Sequence, residues 1–326
     1  MKIVQSLKSI LLRSSLFTMV AQPVDVRAFE AIDYLSQLLF DQDHAFSILD
    51  LGCAGGATNA WSANWSNYEW LGIDAKPEEI MRLQPLLPEK SELHQGYVYS
   101  EKFCQHNLPS DGSLLEIGEI LKLNSFDFVK IDIDGCDLHI LEGIFESAGS
   151  SSILGLEIEV TYSSVGGSEI NFDRCASLLI AHGFEPIAIE SPRRYASSVL
   201  PSPYVWEIQA QTAMGIVFQG NQTWLRNLKS KDFRSSMVSS LILAAYGLSD
   251  WSWQIYKDSM AETTSSKSGI DSMDLRSLFI PSFLRGFTSK TYDREFSTSF
   301  KYSKKFRKWR LQSQFRETEQ PWFLSN

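Results

Sequence analysis

No window of this chain holds the roughly 20 apolar residues that a membrane-crossing helix needs. Histidine and cysteine are scarce, at five and four in 326 residues. The cysteines, Cys53, Cys104, Cys136 and Cys175, lie far apart with no C-x-x-C spacing. In a chain this long they read as reduced thiols of a cytoplasmic protein, not as a disulfide framework or a zinc site. His44, His94, His106 and His182 show no ligand spacing. H-E-x-x-H, a Walker loop and G-x-S-x-G are all absent, so protease, nucleotide triphosphatase and esterase chemistry lack their carriers. Near the N-terminus Arg13 leaves only Ser14–Ala21 as an apolar run, too little for a signal peptide. Within residues 1–25 the spacing of Ile3, Val4, Leu7, Ile10, Leu11 and Leu12 fits an amphipathic helix, covering the domain edge or lying on a membrane surface.

What is present suits a globular protein: 44% hydrophobic and 21% charged residues can bury a real core. The net charge of −9 argues against a nucleic-acid partner for the whole molecule. Its distribution is uneven. Residues 294–316 carry eight Lys/Arg against one acid, Glu295, a local +7 that leaves −16 for the rest. In this tail Tyr302, Phe306 and Trp309 recur at i, i+4, i+7, with Lys304, Lys305, Arg307 and Lys308 largely off that face. A membrane-surface helix, a partner-binding helix, a clamp for an anionic glycan, and an aromatic face packed on the domain all satisfy that pattern.

From Ser47 onward short β-rich runs alternate with helical stretches, the pattern of a mostly parallel sheet covered on both faces. Strands are expected at Ser47–Leu51, Trp70–Ile73, Glu92–Gln95, Asp127–Asp132, Ile153–Val160, Glu185–Glu190 and Ala213–Phe218. A leading helix at Val26–Phe40 and crossover helices at Ala57–Ser66, Pro77–Leu83, Ser113–Leu121, Leu138–Ser147 and Phe172–His182 complete the alternation. The fold class that follows is α/β: a doubly wound, mostly parallel, seven-stranded Rossmann-like sheet with a leading helix and a C-terminal helical extension. Its expected division is an N-terminal segment 1–25, a catalytic domain 26–220 and a basic-aromatic extension 221–326. Within the extension, Ile242–Tyr246 reads as part of a buried helix and Glu262–Ser268 as a loop.

The clearest chemistry lies where the first strand runs into a loop of small residues, Asp50, Leu51, Gly52, Cys53, Ala54, Gly55 and Gly56. Small side chains let the backbone turn sharply and approach a ligand, and N–H groups at the following helix start face it. Asp74, twenty-two residues after Gly52, ends the second strand, where an acid accepts ribose hydroxyls. The loop reads D-x-G-x-A-x-G instead of G-x-G-x-x-G. An acid at its base suits the cationic S-adenosylmethionine and would repel the pyrophosphate of NAD. A tight glycine turn before a buried helix is the plain structural alternative.

A second constellation follows at Phe126–Gly143. A central strand delivers Asp132 at its carboxyl end, where ligands bind in open α/β sheets. Lys130 shares the face of Asp132, and a lysine in a central strand needs carboxylate partners. Asp134 lies just beyond, and Glu157 and Glu159 stand on the next strand. Together these residues form a site or a structural ion-pair cluster. Asp132 and Glu157 also suit Mg²⁺, a metal this reading admits without favouring. His139, one turn into the next helix, is an alternative base or a bystander.

Here the sequence resembles the FkbM family of S-adenosylmethionine-dependent methyltransferases. The family signature K-I-D-x-E-G-x-E-x-x-x-L-x-G is met by Lys130, Ile131, Asp132, Gly135, Leu141 and Gly143, with Asp134 and Asp137 where the family usually has Glu. Its first motif, D-x-G-A-N-x-G, is met by Asp50, Gly52 and Gly56, while Cys53 and Ala54 replace the Ala-Asn pair; Asp74-Ala75-Lys76-Pro77 stands for its E-P-x-P. The resemblance spans about Ser47 to Phe218. It implies O-methylation of a sugar, glycan or related metabolite, with Asp132 or Asp134 as base and Glu157 or Glu159 orienting the acceptor or Lys130. Two other readings stay open: an NAD-dependent Rossmann-type oxidoreductase, and a catalytically inactive binding module in glycan assembly.

Overall fold

β-Branched and aromatic runs bounded by turn residues make the strands, and helical periodicity between them makes the covering helices. In chain order the elements are α1 (Phe29–Phe40), β1 (Phe46–Leu51), β2 (Tyr68–Asp74), α2 (Pro77–Leu83), β3 (Ser91–Gln95), β4 (Tyr97–Tyr99), β5 (Leu114–Glu116), α3 (Ile117–Leu123), β6 (Phe128–Ile131), α4 (Asp137–Glu146), β7 (Gly155–Thr161), α5 (Phe172–Ala181), β8 (Phe184–Ile189), β9 (Arg193–Tyr195), β10 (Ile216–Arg226), α6 (Phe233–Ala245), α7 (Ser249–Thr263) and α8 (Ser272–Leu278). This computed structural model describes residues 27–40, 45–54, 56, 61, 68–87, 90–102, 112–133, 135–164, 169–189, 193–195, 216–226, 232–263 and 272–279. The chain divides into two units. Met1–Val26, Ser191–Phe218 and Phe283–Asn326 form one, which holds β9; Arg27–Glu190 and Gln219–Ser282 form the other. The expected N-terminal helix, the crossover helix Ala57–Ser66 apart from Trp61, and the basic aromatic tail lie outside the described residues. Among the described residues no helix is long and apolar enough to cross a membrane.

Seven strands run in the order β3-β2-β1-β6-β7-β10-β8. β1 to β3, β6 and β7 pair in parallel, and β10 lies antiparallel to both β7 and β8. This is the doubly wound, mostly parallel sheet expected from the sequence. The chain winds outward from β1 through β2 to β3 and then returns to lay β6 on the other side of β1. The switch point is therefore the crevice at the carboxyl ends of β1 and β6, where such sheets bind ligands.

β1, β6 and β7 are buried along their whole lengths, as strands covered on both faces are. Leu49, Leu51, Val129, Ile131, Leu156 and Ile158 pack against α3, α4 and α5. On the other face Phe46, Ile48, Trp70 and Phe128 pack against α1, α6 and α7. Every residue of α6 from Ser236 to Ala245 is buried, because α6 lies between the sheet and the helices α1 and α7. The α6–α7 hairpin turns at Gly247 (φ 78°). There Gly247 N–H bonds Ala244 O and Leu248 N–H bonds Leu243 O, the paired bonds of a Schellman cap. Small residues let the two helices close up, and the hydroxyls of Ser240 and Ser252 each donate to the other's carbonyl, at 2.9 and 2.7 Å.

Two expectations change. The stretch expected as helix from Ser113 begins as β5, because Glu116 caps α3 by accepting the Glu119 N–H at 2.8 Å, which starts the helix at Ile117. The last strand does not end near Gly220. β10 continues to Arg226, with Gly220 opposite Val160 and Asn221 opposite Glu159 in the ladder. The antiparallel pairing carries a glycine and three polar residues through the sheet, so the expected division at 220 falls within a strand. The sheet unit continues into α6 and α7.

At the amino end of the sheet, Asp127 (2% exposed) fastens α6 to the strands. It accepts two bonds from the Arg234 guanidinium, at 2.6 and 2.9 Å, and one from Ser47 N–H at 3.1 Å. Replacing it strands a cation and a backbone donor together. Asp127→Ala is expected to lower the unfolding free energy by about 2–4 kcal/mol, read from the denaturant midpoint. A midpoint equal to that of the parent protein would remove Asp127 from this role.

Candidate functional site

Three neighbouring strands of the sheet unit build the site. β1 and β6 pair so that Asp50 stands opposite Lys130, and β6 and β7 pair so that Lys130 stands opposite Glu157. Asp50, Lys130 and Glu157 therefore form a row across the sheet on the α6 side, all three buried. The Lys130 ammonium lies 3.3 Å from Asp50 Oδ1, 3.3 Å from Asp132 Oδ2 and 3.1 Å from the Gly52 carbonyl oxygen. Burial opposes its charge, but Asp50, Asp132 and Glu157 outweigh burial and hold the ammonium above its ordinary range. Burial pushes the Asp50 carboxyl up, and Lys130 and the Trp70 hydrogen bond pull it back. The indole N–H of Trp70 reaches Asp50 Oδ2 at 3.4 Å. It can do so because Trp70 folds over Gly72, where an added Cβ would meet the ring at 2.0 Å.

The loop after β1 crosses the end of β6 closely. Gly52 has φ 78°, and a Cβ there would stand 1.7 Å from the Asp132 carbonyl oxygen. The N–H groups of Gly52 and Cys53 bond to the Ile73 carbonyl at 2.9 and 3.3 Å, tying the loop to β2. Gly56 (φ 92°) closes a turn with its N–H on the Cys53 carbonyl at 2.9 Å, and Ala54 is exposed. The buried Cys53 thiol is pushed up by burial and by Asp50 and Asp74, so it is no thiolate nucleophile. Gly55 and Asp134 lie outside the described residues.

Two carboxylates flank this loop. Asp74 ends β2, buried, with one oxygen accepting the Lys76 N–H at 2.8 Å. Asp132, just beyond β6, keeps 27% of its side chain exposed while Lys130 holds one oxygen. Glu157 is turned inward: Asn221 Nδ2 donates to one oxygen at 3.0 Å and the Tyr246 hydroxyl donates to the other. Glu159 is buried further along the same face of β7. His139 contacts Glu142 at 3.2 Å on the surface of α4, and Glu142 also meets Arg174 of α5.

Several participants carry no local sequence signal. Asn221 looks like a loop residue until β10 pairs with β7, and Tyr246 is 89 residues from Glu157. Asp137 is more legible, sitting in the signature. It is buried, and its carboxylate takes the N–H groups of Ile133 and Gly135 at 3.0 and 3.2 Å, clamping the loop beyond Asp132. Burial pushes its carboxyl up and those amides counter it. Among the described residues no group of three or more His, Cys, Asp or Glu could hold a metal ion.

No protein-family model matches the chain, and no curated protein matches it. Solved structures do. A TehB-like SAM-dependent methyltransferase from Corynebacterium glutamicum is 13% identical, with 59% of this chain and 88% of that one covered and a TM-score of 0.30. A 1,6-didemethyltoxoflavin-N1-methyltransferase of Burkholderia thailandensis, bound to 1,6-didemethyltoxoflavin and S-adenosylhomocysteine, is 15% identical over 60% and 78%, with a TM-score of 0.32. The bifunctional kinase-methyltransferase WbdD is 14% identical over 62% of this chain and 40% of its own, well under half its length, with a TM-score of 0.34.

Gly52 and Gly135 separate two costs of a side chain at positive φ. Gly52→Ala meets both the strained backbone and the Asp132 carbonyl, and is expected to cost more than about 3 kcal/mol. Gly135 (φ 104°) has nothing within 4 Å of an added Cβ, so Gly135→Ala should cost only the strain, about 1–2 kcal/mol. Equal unfolding midpoints for the two variants would contradict the close crossing of loop and strand.

Proposed function

We propose that the chain is an S-adenosylmethionine-dependent methyltransferase acting on a hydroxyl group of a sugar, glycan or related metabolite. Asp74, ending β2, and Asp132, just beyond β6, lie on either side of the Gly52 loop at the switch point of the sheet and carry that reading. The donor set fits the cofactor's chemistry. Asp74 keeps a carboxylate oxygen beyond its bond to Lys76 for the ribose hydroxyls, and the acids at the strand ends favour a cation over a pyrophosphate. The FkbM-like signature supports an oxygen acceptor. The buried free thiols Cys53 and Cys175 are consistent with the cytoplasm.

Bound at this crevice, S-adenosylmethionine would supply a methyl group to an acceptor oxygen. The chain's own residues must orient the acceptor and remove its proton, since an alcohol is a weak nucleophile. Asp132 is the described carboxylate placed for this, partly exposed and directed by Lys130. Glu157, with both oxygens engaged by Asn221 and Tyr246, supports Lys130 from beneath. Asp50 fixes the same ammonium from the other side, and the ammonium in turn holds the Gly52 carbonyl.

Calorimetric titration with S-adenosylmethionine, S-adenosylhomocysteine and NAD, each with and without Mg²⁺, tests the cofactor. Micromolar binding of the two adenosyl ligands with NAD silent is expected. NAD binding alone would make the protein an oxidoreductase, and silence of all three would remove the enzyme reading. Asp74→Ala should weaken S-adenosylhomocysteine by about 1–3 kcal/mol, since it removes charged hydrogen bonds to the ribose; unchanged affinity would sink that role. Labelled methyl transfer to saccharide acceptors, lost in Asp132→Asn, tests the chemistry. Tight cofactor binding without transfer to any hydroxyl acceptor would favour a binding module.

A further inference from the structure

Tyr246 ends α6, in the part of the chain that the sequence sets apart from the sheet, yet it meets the site twice. Its hydroxyl donates to Glu157 Oε2, and Glu157 stands beside Lys130 in the ladder. Lys130 in turn bonds the Gly52 carbonyl. The Tyr246 ring lies 6.1 Å from Phe128 at 28° and 5.9 Å from Trp61 at 76°. Trp61 is buried nine residues after Gly52. It also packs on Phe46, Tyr68 and Phe128.

We propose that Tyr246 is a positioning residue for the Gly52 loop: through Glu157 and Lys130 it fixes the loop's carbonyl, while its ring is held against the buried Trp61. Both contacts come from one side chain at one helix terminus, so the seating of α6 on the sheet and the shape of the ligand crevice are coupled. A lone buried carboxylate–hydroxyl bond would be an ordinary packing feature. Here the carboxylate supports a cation that itself bonds the loop, which carries the effect of the hydroxyl to the ligand side. The identity of the ligand, and only that, rests on the methyltransferase reading.

The test uses Tyr246→Phe in the full chain, which keeps the ring and removes the hydroxyl. Amide hydrogen exchange reads the loop without any ligand. The peptide containing Gly52 and Cys53, whose amides bond Ile73 in the parent, should exchange about tenfold faster, the equivalent of one lost hydrogen bond, while peptides from α4 and α5 stay unchanged. S-adenosylhomocysteine should bind about tenfold more weakly. Faster exchange in α6 and α7 with no change in the loop is what a merely structural role gives, and it would overturn the proposal. If Tyr246→Phe unfolds α6, Glu157→Gln decides instead, because its amide still pairs with both neighbours, accepting from Asn221 and donating to the Tyr246 hydroxyl, while the charge facing Lys130 is removed. Loop exchange unchanged in that variant would overturn the proposal too. Absence of S-adenosylhomocysteine binding to the parent protein would overturn the cofactor reading alone, leaving the exchange measurement to decide the role of Tyr246.

Discussion

The ammonium of Lys130 is the group on which the rest of the site depends. It sits where a two-sided sheet would otherwise be apolar, and removing it from water is costly unless every side of it is answered. Asp50, Asp132, the Gly52 carbonyl and the neighbouring Glu157 answer it. A buried ion cluster of this kind is weak evidence for stability, because well-packed apolar residues often do as well. Its effect here is geometric. One cation holds together the loop after β1, the carboxylate after β6 and the carboxylate row beneath them.

Register is part of that geometry. Asp50, Lys130 and Glu157 meet because they occupy opposed positions in two successive parallel ladders. A slip of one residue would turn each of them into the face lined by Leu49, Val129 and Ile158, and would bring those apolar side chains into the row. The apolar pattern of the strands and the charges of the site therefore select the same register. Chemistry and folding reinforce one another at the centre of the sheet.

This shared pattern explains what was legible in the sequence. Alternating β and α segments with the Gly52 loop and the acidic strand ends exposed the parallel sheet, its switch point, and the shared face of Lys130 and Asp132, whereas the pairing of Asp50 with Lys130 emerges only from the β1–β6 register. The signature segment mixes chemistry with architecture in a way that spacing alone does not separate. Lys130 and Asp132 face the site. Asp137 clamps a loop, and Gly143 is needed because a Cβ there would come within 2.6 Å of Ser100 Oγ. Beyond Gly220 the sequence is misleading for a physical reason. Asn221, Gln222 and Thr223 look solvated, yet antiparallel pairing buries Gln222 and Thr223, and Gln222 bonds Tyr162 while Asn221 bonds Glu157. Pairings such as Arg234 with Asp127 and Tyr246 with Glu157 join residues far apart in the chain, and no local pattern announces them.

α6 does more than cover the sheet. Ile48, Phe128 and Leu225 need a partner on that face, and α6 supplies it with a helix buried all round, including the small residues Ser236, Ser239 and Ser240 that let its neighbours approach. Covering the face also excludes water from the row beneath Tyr246, which sets how strongly Asp50, Lys130 and Glu157 attract one another. Were α6 to lift, water would reach the row, the ion pairs would weaken, and the Gly52 carbonyl would lose the cation that holds it. The helices after the sheet are in this sense part of what supports the charged row.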